Sequence, residues 1–290
     1  MAEKARDIRR RIRTIESTKK ITNAMQLIAA SRIIKAQART ERSRPFSKAV
    51  GDMIEMLASE SRSSPLLAER EEIRKVGIIV VTGDRGLAGA YNSNVLREAQ
   101  RAAERERGLG REVSVTSVGR KGYAYFKFRK TPLAGTFTGV ADRPAYADAK
   151  KIASGVIEEF TSGAIDKVLI AYTDFISTSL QRARVVQILP VPQAEDKPKK
   201  EGPTAIFEFE PEPDALLDAL LPRYVEMKVY SALLESSTSE HAARMRAMKS
   251  ATDKAEDLIK IFQLKANKAR QAEITGELSD IVGATEALKV

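Results

Sequence analysis

From Met245 onward the apolar and small residues of this chain fall at Met245, Met248, Thr252, Ala255, Ile259, Phe262, Ala266 and Ala269, alternating steps of three and four. That is a heptad seam, sustained long enough to predict a coiled coil and not an ordinary surface helix. A second seam, Ile274, Leu278, Ile281 and Leu288, follows one residue out of phase. Such a skip changes the winding or hands the helix to another partner. From Arg223 to Leu278 there is no proline, and Gly276 is the sole glycine. A helix over 223–288 would be about 100 Å long at ~1.5 Å per residue. It needs a partner, and it should stick out of any compact domain.

The other end of the chain supplies that partner. Residues 3–58 read as one long helix, with Ile8, Ile12, Ile15, Ile21, Met25, Ile28, Ile33 and Ala36 near helical spacing. Pro45 is expected to bend it. Two helices at opposite ends of a chain, joined by a folded domain, pair most simply as an antiparallel coiled coil. The longer C-terminal helix should overhang at its tip.

Between them the period changes. Ser59–Glu72 reads as a linker. Val76–Thr82 is β-branched apart from Gly77 and predicts a strand buried on both faces. Helix is expected over Tyr91–Arg107, strand over Glu112–Val118, a short helix or turn over Lys121–Arg129 and strand over Leu133–Gly139. Helix then follows over Ala145–Ser162 and strand over Lys167–Thr173. Gln181–Leu189 can add one more strand. The alternation predicts a Rossmann-like α/β domain with a mostly parallel sheet. Pro190–Pro203 reads as a loop and Ala205–Glu210 as an edge strand. Pro211 and Pro213 open the C-terminal helix, with a kink or restart at Pro222. The expected organisation is 1–58 as one coiled-coil helix, 73–210 as the α/β domain and 211–290 as the other helix.

Charge sharpens this picture. The chain carries a net +10, and its first fifty residues hold 14 Lys and Arg against 4 Asp and Glu. The remainder is neutral, so the N-terminal helix should face an acidic partner, nucleic acid or an anionic membrane. With no cysteine there are no disulfides, thiolate metal sites or thiol catalysis. The longest apolar runs are too short to span a bilayer. Glu3, Asp7 and Glu16 argue against a transit peptide.

The sharpest local motif is Thr82-Gly83-Asp84-Arg85-Gly86-Leu87-Ala88-Gly89-Ala90-Tyr91-Asn92, between a buried strand and a helix. Glycine loops in that place can present N–H groups to phosphate. The spacing G-x-x-G-x-x-G, without a following Gly-Lys-Ser/Thr, favours a structural turn made by Gly83, Asp84, Arg85, Gly86 and Gly89. Asp84 and Arg85 would then be exposed to a partner. His241 is the sole histidine and reads as a solvated helix residue. The arginine run from Arg9 to Arg13 has no aromatic nearby to stack a base. Nothing assembles a nucleophile, a base and an oxyanion site. The residues describe a mechanical or scaffolding protein without cofactor or metal. A basic coiled-coil nucleic-acid-binding protein and a nucleotide-binding enzyme are the alternatives.

Three regions together carry a resemblance. Ile12-Arg13, then Thr18-Lys19-Lys20-Ile21-Thr22-Asn23-Ala24-Met25 and Ala29-Ala30-Ser31, resemble the N-terminal signature of the gamma subunit of the rotary F-type ATP synthase. The stretch 84–92 resembles that family's central motif. Residues 239–253 and 267–275 resemble its C-terminal signatures. The resemblance implies a central shaft within three alpha and three beta subunits, with the α/β domain at its foot beside the epsilon subunit and the membrane c-ring. It implies coupling of proton flow to ATP synthesis, with no bond chemistry by this subunit. The place would be the cytoplasmic face of the cell membrane, peripheral and without membrane insertion. By the same resemblance Met25 lies beside an acidic loop of a beta subunit. Arg270, Gln271 and Thr275 match positions that contact the beta catch loop, and Arg244 matches a conformational-coupling position. Gly276 stands where the family usually has Gln, and Ala284 replaces a glycine. The absence of a Cys-bearing insertion points to the bacterial type.

Overall fold

The computed structural model describes residues 5–60, 64–192 and 212–287. Most of the expected loop over 190–203, the expected strand over 205–210 and Leu288 lie outside the described residues. The elements run α1 (Ala5–Glu60), β1 (Lys75–Val81), α2 (Tyr91–Gly108), β2 (Glu112–Val118), α3 (Arg120–Phe128) and β3 (Gly135–Phe137). They continue with α4 (Tyr146–Thr161), β4 (Lys167–Phe175), β5 (Gln181–Leu189) and α5 (Pro213–Ala287). The chain divides into two units, one of residues 1–29 with 245–290 and one of residues 30–244.

The first unit is an antiparallel coil of the ends of α1 and α5. Ala5 N donates to Glu273 Oε1 at 3.2 Å, Lys19 Nζ meets Glu256 at 3.0 Å, and the Thr22 and Thr252 hydroxyls lie 2.7 Å apart. Rising numbers on one helix meet falling numbers on the other. On α5 the seam is the one the spacing predicts, since the positions from Met245 to Ala269 at alternating three and four are all buried or half-buried. On α1 the seam passes through Ile8, Ile12, Ile15, Lys19, Thr22, Met25 and Ala29. Ile21 and Ile28, expected in it, are 58% and 55% exposed. Thr22 and Ala29 lie on the face that continues Ile8, Ile12 and Ile15, whereas Ile21 and Ile28 lie off it. Beyond Ala269 every α5 residue through Thr285 is exposed, including Ile274, Leu278 and Ile281.

The second unit is built on a five-stranded sheet in the order β3-β2-β1-β4-β5, parallel except for the antiparallel β4–β5 pair. Alternate residues of the central strands face two cores. Val76, Ile78, Val80, Val115 and Leu169 pack with Val95, Ala99 and Ala103 of α2 and Phe126 of α3. Ile79, Val81, Val118 and Ile170 pack with Ile152, Val156 and Phe160 of α4, and with Val50, Ile54 and Leu57 of α1 and Leu217, Leu221 and Val225 of α5. Burial on both faces explains the unbroken β-branched run of β1.

Two expectations change. α5 runs on past Pro222 and does not restart there, as α1 runs on past Pro45. A mid-helix proline costs about 3 kcal/mol, but Leu217, Leu221 and Val225 around Pro222 are all fully buried and hold the helix on the sheet. The strand expected over 133–139 shrinks to Gly135–Phe137, which among the described residues is an edge strand paired with β2 alone, followed by Gly139 at φ 83°.

Candidate functional site: the carboxyl edge of the sheet and the coil face

β1 lies between β2 and β4, and the strand order reverses there, the chain running from β1 to β2 and β3 before it crosses back to place β4 on the other side of β1. In sheets of this kind the crevice at that switch point, outside the strand carboxyl ends, receives ligands. Here the loop 82–90 enters it. Thr82 N and Oγ1 both donate to Val118 O at 2.8 Å, and Thr82 Oγ1 accepts from Gly122 N at 2.8 Å. Gly83 N donates to Asn92 Oδ1 at 2.8 Å. Leu87 and Gly89 take positive φ, 62° and 56°, which turns the chain into α2.

Asp84 is buried, contrary to the expectation of an exposed contact, whereas Arg85 is exposed. The Asp84 carboxylate accepts from Arg120 N at 3.0 Å, Gly139 N at 2.8 Å and Ala141 N at 3.0 Å. A carboxylate with three N–H donors needs no external partner, and it ties three loops together.

The crevice itself is filled by α5. Glu240 is 1% exposed, and a Cβ added to Gly83 would lie 2.8 Å from its Oε1. Glu240 pairs with Arg244 one turn later, and Arg244 also donates to Gly86 O at 3.3 and 3.4 Å. The paired Glu240 side chain thus occupies the space where a phosphate would sit in a nucleotide-binding sheet. Burial raises the Glu240 pKa, with Arg244 opposing. Ser236 Oγ accepts from Thr173 N at 3.2 Å, and Ser239 Oγ donates to Thr173 O at 3.1 Å. These small hydroxyls let α5 approach the end of β4 closely.

His241 is 2% exposed, not solvated. Its Nε2 lies 3.7 Å from Asp142 Oδ1, and Arg32 binds both oxygens of Asp142 at 2.8 and 2.9 Å. Burial pushes the His241 pKa down to about 4, helped by Arg244 and Arg32 and opposed by Asp142. The imidazole is therefore neutral in the fold and must gain a proton to unfold in acid. Its stabilising contribution is complete above its ordinary value of 6.5 and is lost as pH falls from there toward 4. The expected loss is roughly 3 kcal/mol at about 1.4 kcal/mol per pH unit. Denaturant melts of the chain and of His241→Gln between pH 4 and 7 check it, the variant lacking that part of the slope.

The residues matched by resemblance fall in different places. Met25 is half-buried on the α1 seam. Arg270, Gln271 and Thr275 are exposed past the last seam residue, and Thr275 Oγ1 donates to Gln271 O at 2.9 Å. Arg244 is buried at the sheet edge, not on a surface. Composition and spacing did not reveal Glu240, Asp142 or Arg32. One signal was present, the run Ser236-Ser237-Thr238-Ser239, since four poor helix formers inside a helix mark close packing with hydrogen bonds.

The sequence profile of the ATP synthase family matches residues 4–288. The ATP synthase gamma chain of Parafrankia sp. strain EAN1pec is 49% identical, and that of Frankia casuarinae 47%, each over 99% of both chains. Among solved structures, a chain of the central stalk and c-ring assembly of Tetrahymena thermophila mitochondrial ATP synthase matches with TM-score 0.60 and 26% identity. The match covers 80% of this chain and 99% of that one. A chain of Euglena gracilis mitochondrial ATP synthase shares the fold at TM-score 0.66 and 18% identity, over 98% of this chain and 94% of that one. Matched from end to end at close to half its positions, the chain belongs to the ATP synthase gamma-chain family.

Proposed function

We propose that this chain is the central rotary shaft of an F-type ATP synthase, coupling proton flow through a membrane ring to ATP synthesis on alpha and beta subunits. The observation that carries the reading is the antiparallel coil with apolar residues left outside its seam, Ile21, Leu27 and Ile28 on α1 and Ile274, Leu278 and Ile281 on α5. A helix pair that buries its own seam and still displays such residues suits a shaft within a surrounding bearing. The assigned neighbours are three alpha and three beta subunits, the epsilon subunit and the c-ring. Met25, Arg270, Gln271 and Thr275 are assigned to beta-subunit contacts. Arg244 is assigned an indirect part, holding α5 against the Gly83–Gly89 turn.

The subunit is read as non-catalytic, and its place as the cytoplasmic face of the cell membrane. Among the described residues no helix is long and apolar enough to cross a membrane. Nothing in the site favours nucleic acid as the partner of α1.

Affinity purification of the tagged chain from its own cells tests the proposal. Alpha and beta subunits should co-purify in fixed ratio, and ATP hydrolysis should reside in that complex and not in the chain alone. A tagged chain that leaves both behind, or that hydrolyses ATP by itself, overturns it.

A further inference from the structure

The far ends of α2 and α3 take no part in the shaft reading or in the switch-point crevice. Both helices begin at the carboxyl edge of the sheet, α2 directly after the glycine loop and α3 with Gly122 N bonded to Thr82 Oγ1 at 2.8 Å. Both run back along one face of the sheet, over the core that Val95, Ala103 and Phe126 share. They finish side by side, since Arg107 of α2 lines one small cavity with Arg129 and Thr131 just past α3.

Each end displays an apolar side chain. Phe128, the last residue of α3, is 87% exposed, and Leu109, just past α2, is 66% exposed. The backbone beneath them is fastened. Arg129 N donates to Tyr125 O at 3.1 Å and Thr131 N to Phe126 O at 3.0 Å. Leu109 N donates to Glu106 O at 3.1 Å and Gly110 N to Arg107 O at 2.9 Å.

Arg105, Arg107, Lys127, Arg129 and Lys130 are exposed around the two apolar tips. The chain has no acid from Val113 to Ala141. On α2, Glu98 is paired with Arg101, and Glu106 with Arg111 and Lys167, which leaves Glu104 facing five cations. A cation in a last helical turn offsets the helix dipole, but that accounts for the charge alone. It gives no reason for a phenylalanine and a leucine to stand in water within the same positive field.

We propose that the ends of α2 and α3 form a docking face for a bilayer rich in anionic phospholipid. Phe128 and Leu109 enter the headgroup layer, and the Lys and Arg around them pair with lipid phosphates. Charge complementarity selects an anionic partner, and the apolar tips select one with an apolar layer behind its charge. Nucleic acid fits this face less well. A base needs an open ring to stack on. Lys127 Nζ lies over the Tyr123 ring at 5.7 Å, and the Arg129 guanidinium over the Tyr125 ring at 5.2 Å. Leu109 offers no ring. The face belongs to the sheet unit, and the proposal does not rest on the shaft reading.

The test is flotation of the full chain with vesicles of phosphatidylglycerol and phosphatidylcholine in equal parts, against phosphatidylcholine alone. The chain has no tryptophan, so Phe128→Trp places a single reporter on the face. Its emission should shift to the blue with the anionic vesicles and stay unchanged with the neutral ones. The basic α1 also attracts anionic vesicles, and its share is a background common to all variants. Lys127→Gln with Lys130→Gln should weaken binding about 30-fold, at about fivefold per cation near an anionic surface. Phe128→Ser with Leu109→Ser should weaken it without lowering the melting temperature, since both side chains are exposed. Flotation of Phe128→Trp with no shift in emission overturns the proposal, because another surface then makes the contact. Failure to float, or binding that both double variants leave in place, overturns it equally. So does Phe128→Trp emission that single-stranded DNA quenches while anionic vesicles leave it unshifted.

Discussion

Gly119→Ala is expected to lower the stability of the sheet unit by about 2–6 kcal/mol, a large part of the ~5–15 kcal/mol that holds a typical domain together. Gly119 takes φ 93° and ψ 144°, a region essentially reserved for glycine, and strain there costs about 1–3 kcal/mol. A Cβ would also overlap the Thr82 carbonyl oxygen and come 2.7 Å from Thr82 Oγ1. Overpacking of that kind adds about 1–3 kcal/mol. Thr82 cannot withdraw, since its N and Oγ1 are both bonded to Val118 O. Gly110, at φ 79° with nothing within 4 Å of its Cβ, separates the two causes. Gly110→Ala should show the strain alone, about 1 kcal/mol or somewhat more. Denaturant melts of both variants decide the matter, and a Gly119→Ala chain as stable as Gly110→Ala would remove the clash from the account.

Met25→Lys is expected to cut ATP synthesis in membrane vesicles while leaving the complex assembled and able to hydrolyse ATP. Met25 is half-buried on α1, one turn from the Thr22–Thr252 contact. A lysine there can lay its stem along the seam and bring its ammonium to the surface, so folding should change little. Lys19 is already paired with Glu256 and would not compete for a new acidic partner. If the chain turns past acidic loops of beta subunits, the added cation forms an ion pair at one rotary position. An exposed pair is worth about 0–1 kcal/mol, and a partly desolvated one more. A bond of about 1–3 kcal/mol that must break at each step slows that step roughly 5- to 150-fold. Removing the facing acid on beta should restore synthesis. Unchanged synthesis, or failure to assemble, would count against the place assigned to Met25.

The α5 seam was legible residue by residue because a coiled coil repeats and spacing alone defines it. The α1 seam was half legible. After Ile8, Ile12 and Ile15 the same alternation leads to Lys19, Thr22 and Ala29, while the more apolar Ile21 and Ile28 lie off it. Period outranked hydrophobicity there, because the face that a helical position occupies, and not the residue's own preference, decides what it meets. The α/β alternation was legible from β-branched runs and breakers. The three-residue β3 was not, since only pairing to one neighbour limits it. Buried His241 and Asp84 escaped because their surroundings come from far along the chain. Arg32, Asp142, Arg120 and Gly139 cannot be seen as their neighbours until the sheet is closed.

The filling of the switch-point crevice also bears on the order in which the chain can fold. The five strands of the described residues precede α5, but the carboxylate and guanidinium that close the crevice come after them, with Arg244 and Gly86 separated by 158 positions. Leu217, Leu221, Val225 and Leu233 of α5 also complete one of the two cores. A ribosome-bound chain that has delivered β1 through β5 therefore still shows an open carboxyl edge and an uncovered apolar face. Contacts of such long sequence separation form late. The nascent sheet is thus most exposed to aggregation in the interval before its last helix emerges.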